Sequence, residues 1–126
     1  MDKLAFINEQ MNILAIPYEY GEWTNNEKPN PYYVGEVPSG ENILAEDGSE
    51  ETTFILTGFH YGKIIDLEQD KAKIKKHFHP SFGARAKTNS GSIAVFYDGG
   101  FIVPTGEKDL KRIQITLKIK EWKGVY

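Results

Sequence analysis

From Ile113 to Lys120 the chain alternates without a break: Ile113, Ile115, Leu117 and Ile119 are apolar, and Gln114, Thr116, Lys118 and Lys120 between them are polar. Successive side chains of a strand point to opposite faces, so this stretch predicts a strand with one buried and one wet face. A sheet built around it needs cover on one side only. What the rest of the chain can supply as that cover sets the fold class.

Two segments have helical spacing. Over residues 2–15, Leu4, Ile7, Met11 and Leu14 recur at intervals of three and four, with Phe6 and Ile13 beside the stripe and Asn8, Glu9, Gln10 and Asn12 as polar residues. Asp2 stands where an N-cap belongs, and Pro17 ends the run by disfavouring helical geometry at Ile16. Over residues 66–78, Leu67, Ile74 and Phe78 share a face. Asp66 can cap the start with Gln69 as reciprocal partner, and Lys73, Lys75 and Lys76 suit the negative pole of the helix dipole. His79 and Pro80 close it.

The remaining elements read as strands and turns. Tyr18, Tyr20 and Trp23, with Gly21 as a bulge, and the run PYYV at 31–34 predict two strands joined by a polar loop. Residues 38–51 read as an exposed acidic turn. Residues 53–61 are largely apolar on both faces, which predicts a central strand. The stretch from Ser81 to Gly91 is small, polar, basic and without periodicity, and predicts a mobile loop. Ile93 to Tyr97 and Phe101 to Val103 read as a hairpin around Asp98, Gly99 and Gly100. The expected fold is α+β, one domain over residues 1–126. Its antiparallel or mixed β-sheet carries two α-helices packed on one face, in the order helix, three strands, helix, three strands.

The chain holds 126 residues, the length of one domain, and has no cysteine, so neither a disulfide framework nor a thiolate metal site is available. Nothing in it calls for an oxidising compartment, no run approaches the roughly 20 apolar residues of a membrane span, and the expectation is an intracellular protein without membrane contact. The formal net charge of −3 hides an asymmetry: residues 1–51 hold eleven acids against Lys3 and Lys28, whereas the rest is basic on balance. One reading is neutralisation within the chain. The other is a head-to-tail contact in which the acidic face of one subunit meets the basic face of the next.

Motifs that carry chemistry are missing from the sequence. His77 and His79 differ by two and would point to different sides of a helix, which argues against a shared metal ion with Asp66, Glu68 or Asp70. His60 stands alone on a strand. The sequence has no Gly-x-Ser-x-Gly turn, phosphate loop or dinucleotide fingerprint, and the carboxylates of Glu46, Asp47, Glu50 and Glu51 lie in a turn open to water. The expectation is no enzyme, no metal and no cofactor. Lys71 to Lys87 holds six basic residues and no acid, with Phe78 and Phe82 interleaved, which makes an adaptor or nucleic-acid-binding module the alternative reading. The acidic first third and a pI near 5.6 weigh against nucleic acid. Tyr18, Tyr20, Trp23, Tyr32 and Tyr33 form a second candidate surface, part of it core and part of it a contact for another subunit.

Several runs carry a family resemblance: IPYEYGEW from Ile16 to Trp23, PYYVGE from Pro31 to Glu36, EDG from Glu46 to Gly48, FILTGF from Phe54 to Phe59, PTG from Pro104 to Gly106, and LKRIQITLKIKEW from Leu110 to Trp122. Together they resemble small proteins of the head–tail region of long-tailed bacteriophages and prophages. The element order is similar to that of tail-terminator and tail-completion (head–tail joining) proteins. The resemblance implies a structural protein of the virion tail or neck, assembled in the bacterial cytoplasm as a homo-oligomeric ring, hexameric in that family. Its partners would be the tail tube and head-completion proteins. From the residues themselves, the expected contact positions are Glu46, Asp47, Glu50 and Glu51 as an acidic patch, Lys73, Lys75, Lys76, Arg85 and Lys87 as the basic one, and Tyr32 and Tyr33 as aromatic anchors. Charge reversal at Lys73 and Lys75 is expected to favour the monomer, and the loop at 81–91 to order on meeting a partner.

Overall fold

The alternating stretch lies inside the longest strand, hydrogen-bonded along both edges. A computed structural model describes residues 3–24, 29–38, 43–44, 48–88 and 91–123. Its elements are α1 (Lys3–Ile13), β1 (Tyr18–Tyr20), β2 (Tyr32–Glu36), β3 (Ile43–Leu44), β4 (Glu50–Tyr61), α2 (Ile64–His77), β5 (Ala84–Thr88), β6 (Gly91–Val103) and β7 (Leu110–Lys123). The strands follow the order β1-β2-β4-β7-β6-β5, with β3 pairing β4 off that path. β1 runs parallel to β2 and every other pair is antiparallel, so the sheet is mixed. The fold is α+β, with one strand more in the first half than expected. Ile43 and Leu44 pair with Glu51 and Glu50 inside the stretch that reads as an acidic turn.

Ile113, Ile115, Leu117 and Ile119 of β7 are fully buried on one face. Across the ladder they meet Gly58, Leu56, Phe54 and Thr52 of β4. Phe6, Ile7 and Met11 of α1 and Leu67 and Ile74 of α2 belong to the same buried cluster as these strand residues, together with Phe78, Ile93 and Val95. Both helices therefore cover one face. Each such side chain contributes about 1.5–3 kcal/mol by leaving water. The helices are also tied to each other: Lys73 Nζ donates to the Leu14 carbonyl, and His77 Nε2 lies 2.7 Å from Gln10 Oε1. Among the described residues no helix is long and apolar enough to cross a membrane.

α1 ends as its sequence requires, with one cost. The Ile16 N–H donates to the Met11 carbonyl and the Ala15 N–H to the Asn12 carbonyl, the paired bonds of a Schellman termination. This places Ala15 at φ 57°, where a Cβ crowds the backbone. Ala15→Gly should raise stability by about 0.5–1 kcal/mol, measured by urea unfolding, because glycine is the residue that occupies this position without strain.

Three expectations are corrected. Asp66 does not cap α2: Lys63 is the N-cap, without a side-chain bond, and the Asp66 carboxylate lies 2.8 Å from Nε2 of buried His60. The other ring nitrogen is 3.0 Å from Asn30 Oδ1. Buried nitrogens need partners more than exposed helix-end amides do, and that competition decides where Asp66 goes. Residues 84–88, inside the expected mobile loop, form β5 along β6, while Asn89 and Ser90 lie outside the described residues. Asp98 and Gly99 form a bulge inside a continuous β6, and both flanks pair with β7. The actual turn falls at 104–109, where Thr105 Oγ1 donates to the Leu110 carbonyl at 2.8 Å and accepts the Glu107 N–H at 3.1 Å.

Burial holds the His77 imidazole below its ordinary pKa. The unfolded chain therefore takes up this proton first as pH falls, and stability rises with pH in that window. Stability should drop as pH is lowered from about 6.5 toward the depressed folded value, and level off below it. Thermal melts from pH 8 to pH 5 check this, since His77→Gln should flatten that part of the profile while keeping a partner for Gln10.

Candidate interaction surface on the open sheet face

The polar half of the alternation lies on the face that, among the described residues, no helix covers. Registers across the strands place Tyr32, Phe59, Arg112 and Val103 in one row, and Val34, Thr57, Gln114 and Phe101 in the next. Further rows hold Glu36, Ile55 and Thr116, then Thr53, Lys118 and Phe96. The last two hold Glu51, Lys120, Ala94 and Arg85, then Trp122, Ser92 and Lys87. The result is a broad face of rings and aliphatic groups crossed by charge.

Two shallow concavities open on it. One, of about 520 Å³, sits at the β1–β2 side and includes Trp23, Tyr32 and Phe59 in its lining. Tyr32 stacks on Phe59 at 5.2 Å and Trp23 tilts against Tyr32 at 5.2 Å, so the three rings form one platform. Glu22, Glu36 and Arg112 are its charged members. The other, of about 410 Å³, lies at the β5–β7 side, where Arg85, Lys118 and Lys120 are interleaved with Phe96 and Trp122. The Arg85 guanidinium lies over the Phe96 ring at 5.5 Å, and its Nε donates to the Phe82 carbonyl at 2.8 Å. Those contacts fix the side chain in place.

The structure separates the expected contact residues. Glu51 pairs with Lys120 at 3.2 Å and Glu50 with Lys123 at 3.6 Å, so this part of the acidic patch is neutralised within the chain. Glu46 and Asp47 lie outside the described residues. Lys73 is bound to α1, Lys75 lies over the Tyr97 ring at 5.8 Å, and Lys76 is exposed on α2. Arg85 and Lys87 are exposed on β5, in the row pattern of the open face. The basic run from Lys71 to Lys87 thus divides between α2 and the sheet. Of the aromatic pair, Tyr32 is on the open face. Tyr33 is in the core: fully buried, its hydroxyl donates to Asp70 at 2.9 Å, and burial followed by the Asp70 charge raises its pKa.

Arg112, Lys118, Phe59, Phe96 and Trp122 were not among the expected contacts. The signal for most of them was present, since Arg112, Lys118 and Trp122 are in phase with the wet positions of the alternating strand. Phe59 and Phe96 read as ordinary strand residues until the register sets them beside Arg112 and Lys118. Chemically the face can stack planar groups, bind carboxylates or phosphates, and exclude water over a wide area. Among the described residues no group of three or more histidine, aspartate or glutamate side chains could hold a metal ion. In comparisons with known proteins, no family model and no curated protein matches this chain.

Proposed function

We propose that the chain is a structural subunit of the tail or head–tail junction of a phage or prophage, acting by binding alone. Copies associate into an oligomeric ring that terminates or completes the tail and offers a surface for head joining. The observation that supports this best is the uncovered sheet face. Tyr32, Val34, Ile55, Phe59, Phe96, Phe101 and Trp122 share one layer on which, among the described residues, no helix packs. Apolar surface gathered in that way favours a protein contact, and rings with one polar edge tolerate water until the contact forms. The likeness of its sequence runs to head–tail proteins supplies the ring, with six subunits as the family's number.

Sedimentation velocity over a range of concentrations, followed by negative-stain images of the heaviest species, tests the reading. A discrete closed oligomer is the expected result. A monomer at every concentration and salt would end it. Under this proposal the wild-type protein leaves single- and double-stranded DNA unshifted in a gel at physiological salt, because the bases of residues 71–87 do not converge on one surface.

A further inference from the structure

The open face carries opposite charge at opposite ends, and those ends lie toward the two outer strands of the sheet. Toward β5, Arg85 and Lys118 flank Phe96, and Lys120 stands beside them already paired with Glu51. Toward β1, exposed Glu22 and Glu36 flank the platform of Trp23 and Tyr32, and Arg112 lies in the floor between platform and sheet centre. Glu19, on β1 itself, is held by Thr24, whose hydroxyl donates to it at 2.8 Å. Each end therefore presents rings together with a majority of one sign of charge, basic toward β5 despite exposed Asp98 and acidic toward β1 despite Arg112, and the two majorities are opposite.

We propose that successive subunits join head to tail through these two ends, the β5-side concavity of one copy receiving the β1-side platform of the next. The inference rests on the ring reading above and names its interface. Charge complementarity argues for a second copy as the occupant. The acidic partner that the basic end requires is present on the same chain, and residues 1–51 hold eleven acids against two bases. Placement argues for head to tail. After one contact, each copy keeps its other end free, and a heterologous contact of this kind closes into a ring when the rotation permits. Carboxylates of Glu22 and Glu36 face the Arg85 guanidinium and the Lys118 ammonium, while Trp23 packs toward Phe96 and Trp122. Arg85 is suited to the task because its contacts with Phe96 and the Phe82 carbonyl leave its terminal nitrogens to donate to a partner carboxylate in a fixed direction.

Three variants test this by sedimentation velocity, with circular dichroism as the check on folding. Arg85→Glu with Lys118→Glu, and separately Glu22→Lys with Glu36→Lys, should each weaken assembly at least about tenfold relative to wild type, since like charges then oppose each other. The variant carrying all four changes should assemble again, which a merely misfolded protein would not do. Raising salt should weaken the wild-type ring. If wild type forms rings and both double variants do so equally well, the interface lies elsewhere: this inference fails and the ring reading stands. A wild-type dimer that grows no further also overturns head-to-tail joining. A wild-type monomer at every concentration removes both, and if that monomer shifts single-stranded DNA in a manner abolished by the Arg85 and Lys118 changes, the basic end is a nucleic-acid site instead.

Discussion

Phe54→Ala is expected to cost about 3–5 kcal/mol of folding stability, the range for removing a large ring from a well-packed interior. Phe54 is fully buried, opposite Leu117 on the central strand, with the Tyr18 and Tyr20 rings at 6.5 and 6.3 Å. β4 is paired with β7 at Phe54 and with both β2 and β7 at the next residue, Ile55, so the backbone has little freedom to move in and fill the space. With total stability of a domain near 5–15 kcal/mol, the loss should be plain as a lower urea midpoint at unchanged slope. A second change makes the test specific. A Cβ added at Gly35 would lie 2.3 Å from Phe54 Cζ and 2.8 Å from Tyr18 Cε1, so Gly35→Ala should cost about 1–3 kcal/mol on its own. In the Phe54→Ala background the part of that penalty due to the Phe54 ring should vanish while the Tyr18 contact remains, giving a coupling of at least about 1 kcal/mol. Additive losses would mean that the ring and the glycine do not share the space.

Gly58→Val should destabilise by about 3 kcal/mol, the upper part of the overpacking range. A Cβ there would fall 2.3 Å from Tyr33 Cε2 and 2.9 Å from Ile113 Cγ2. Tyr33 is the cross-strand partner of Gly58 itself, and its ring is held at the far end by the bond from its hydroxyl to Asp70. To make room the ring must leave that bond, which strands a carboxylate partner as well as straining the rotamer. Tyr33→Leu in the same chain should recover part of the loss by shortening the side chain that blocks the new methyls. A Gly58→Val protein melting within about 0.5 kcal/mol of wild type would show that the Tyr33 ring has another place to go.

The two glycines show where sequence reading stops. Gly35 and Gly58 look like interruptions in strand composition, yet both are gaps shaped for a neighbour's ring, and the neighbours are 19 and 25 positions away. Asp66 is the same lesson in polar form. Its local role as a helix cap was a sound inference, but His60, buried six positions earlier, competes for it at 2.8 Å. The proposed contact residues divided for a similar reason. A charge run along the chain says nothing of layer, and folding left Lys73 on α2, bound to the Leu14 carbonyl, while Arg85 went to the sheet.

Periodicity in the chain by itself determined that β7 would be buried on one face, that two amphipathic helices would cover that face, and that the class would be α+β. Those features depend only on near neighbours along the chain and on the solvent preference of side chains. The tertiary structure alone decided that Asp98 and Gly99 would bulge instead of turn, that residues 84–88 would become an edge strand, and which charges would share the open face. A glycine-rich step is compatible with either a turn or a bulge. The choice is made by β7, which pairs both flanks of the step and satisfies backbone groups that no local rule could assign.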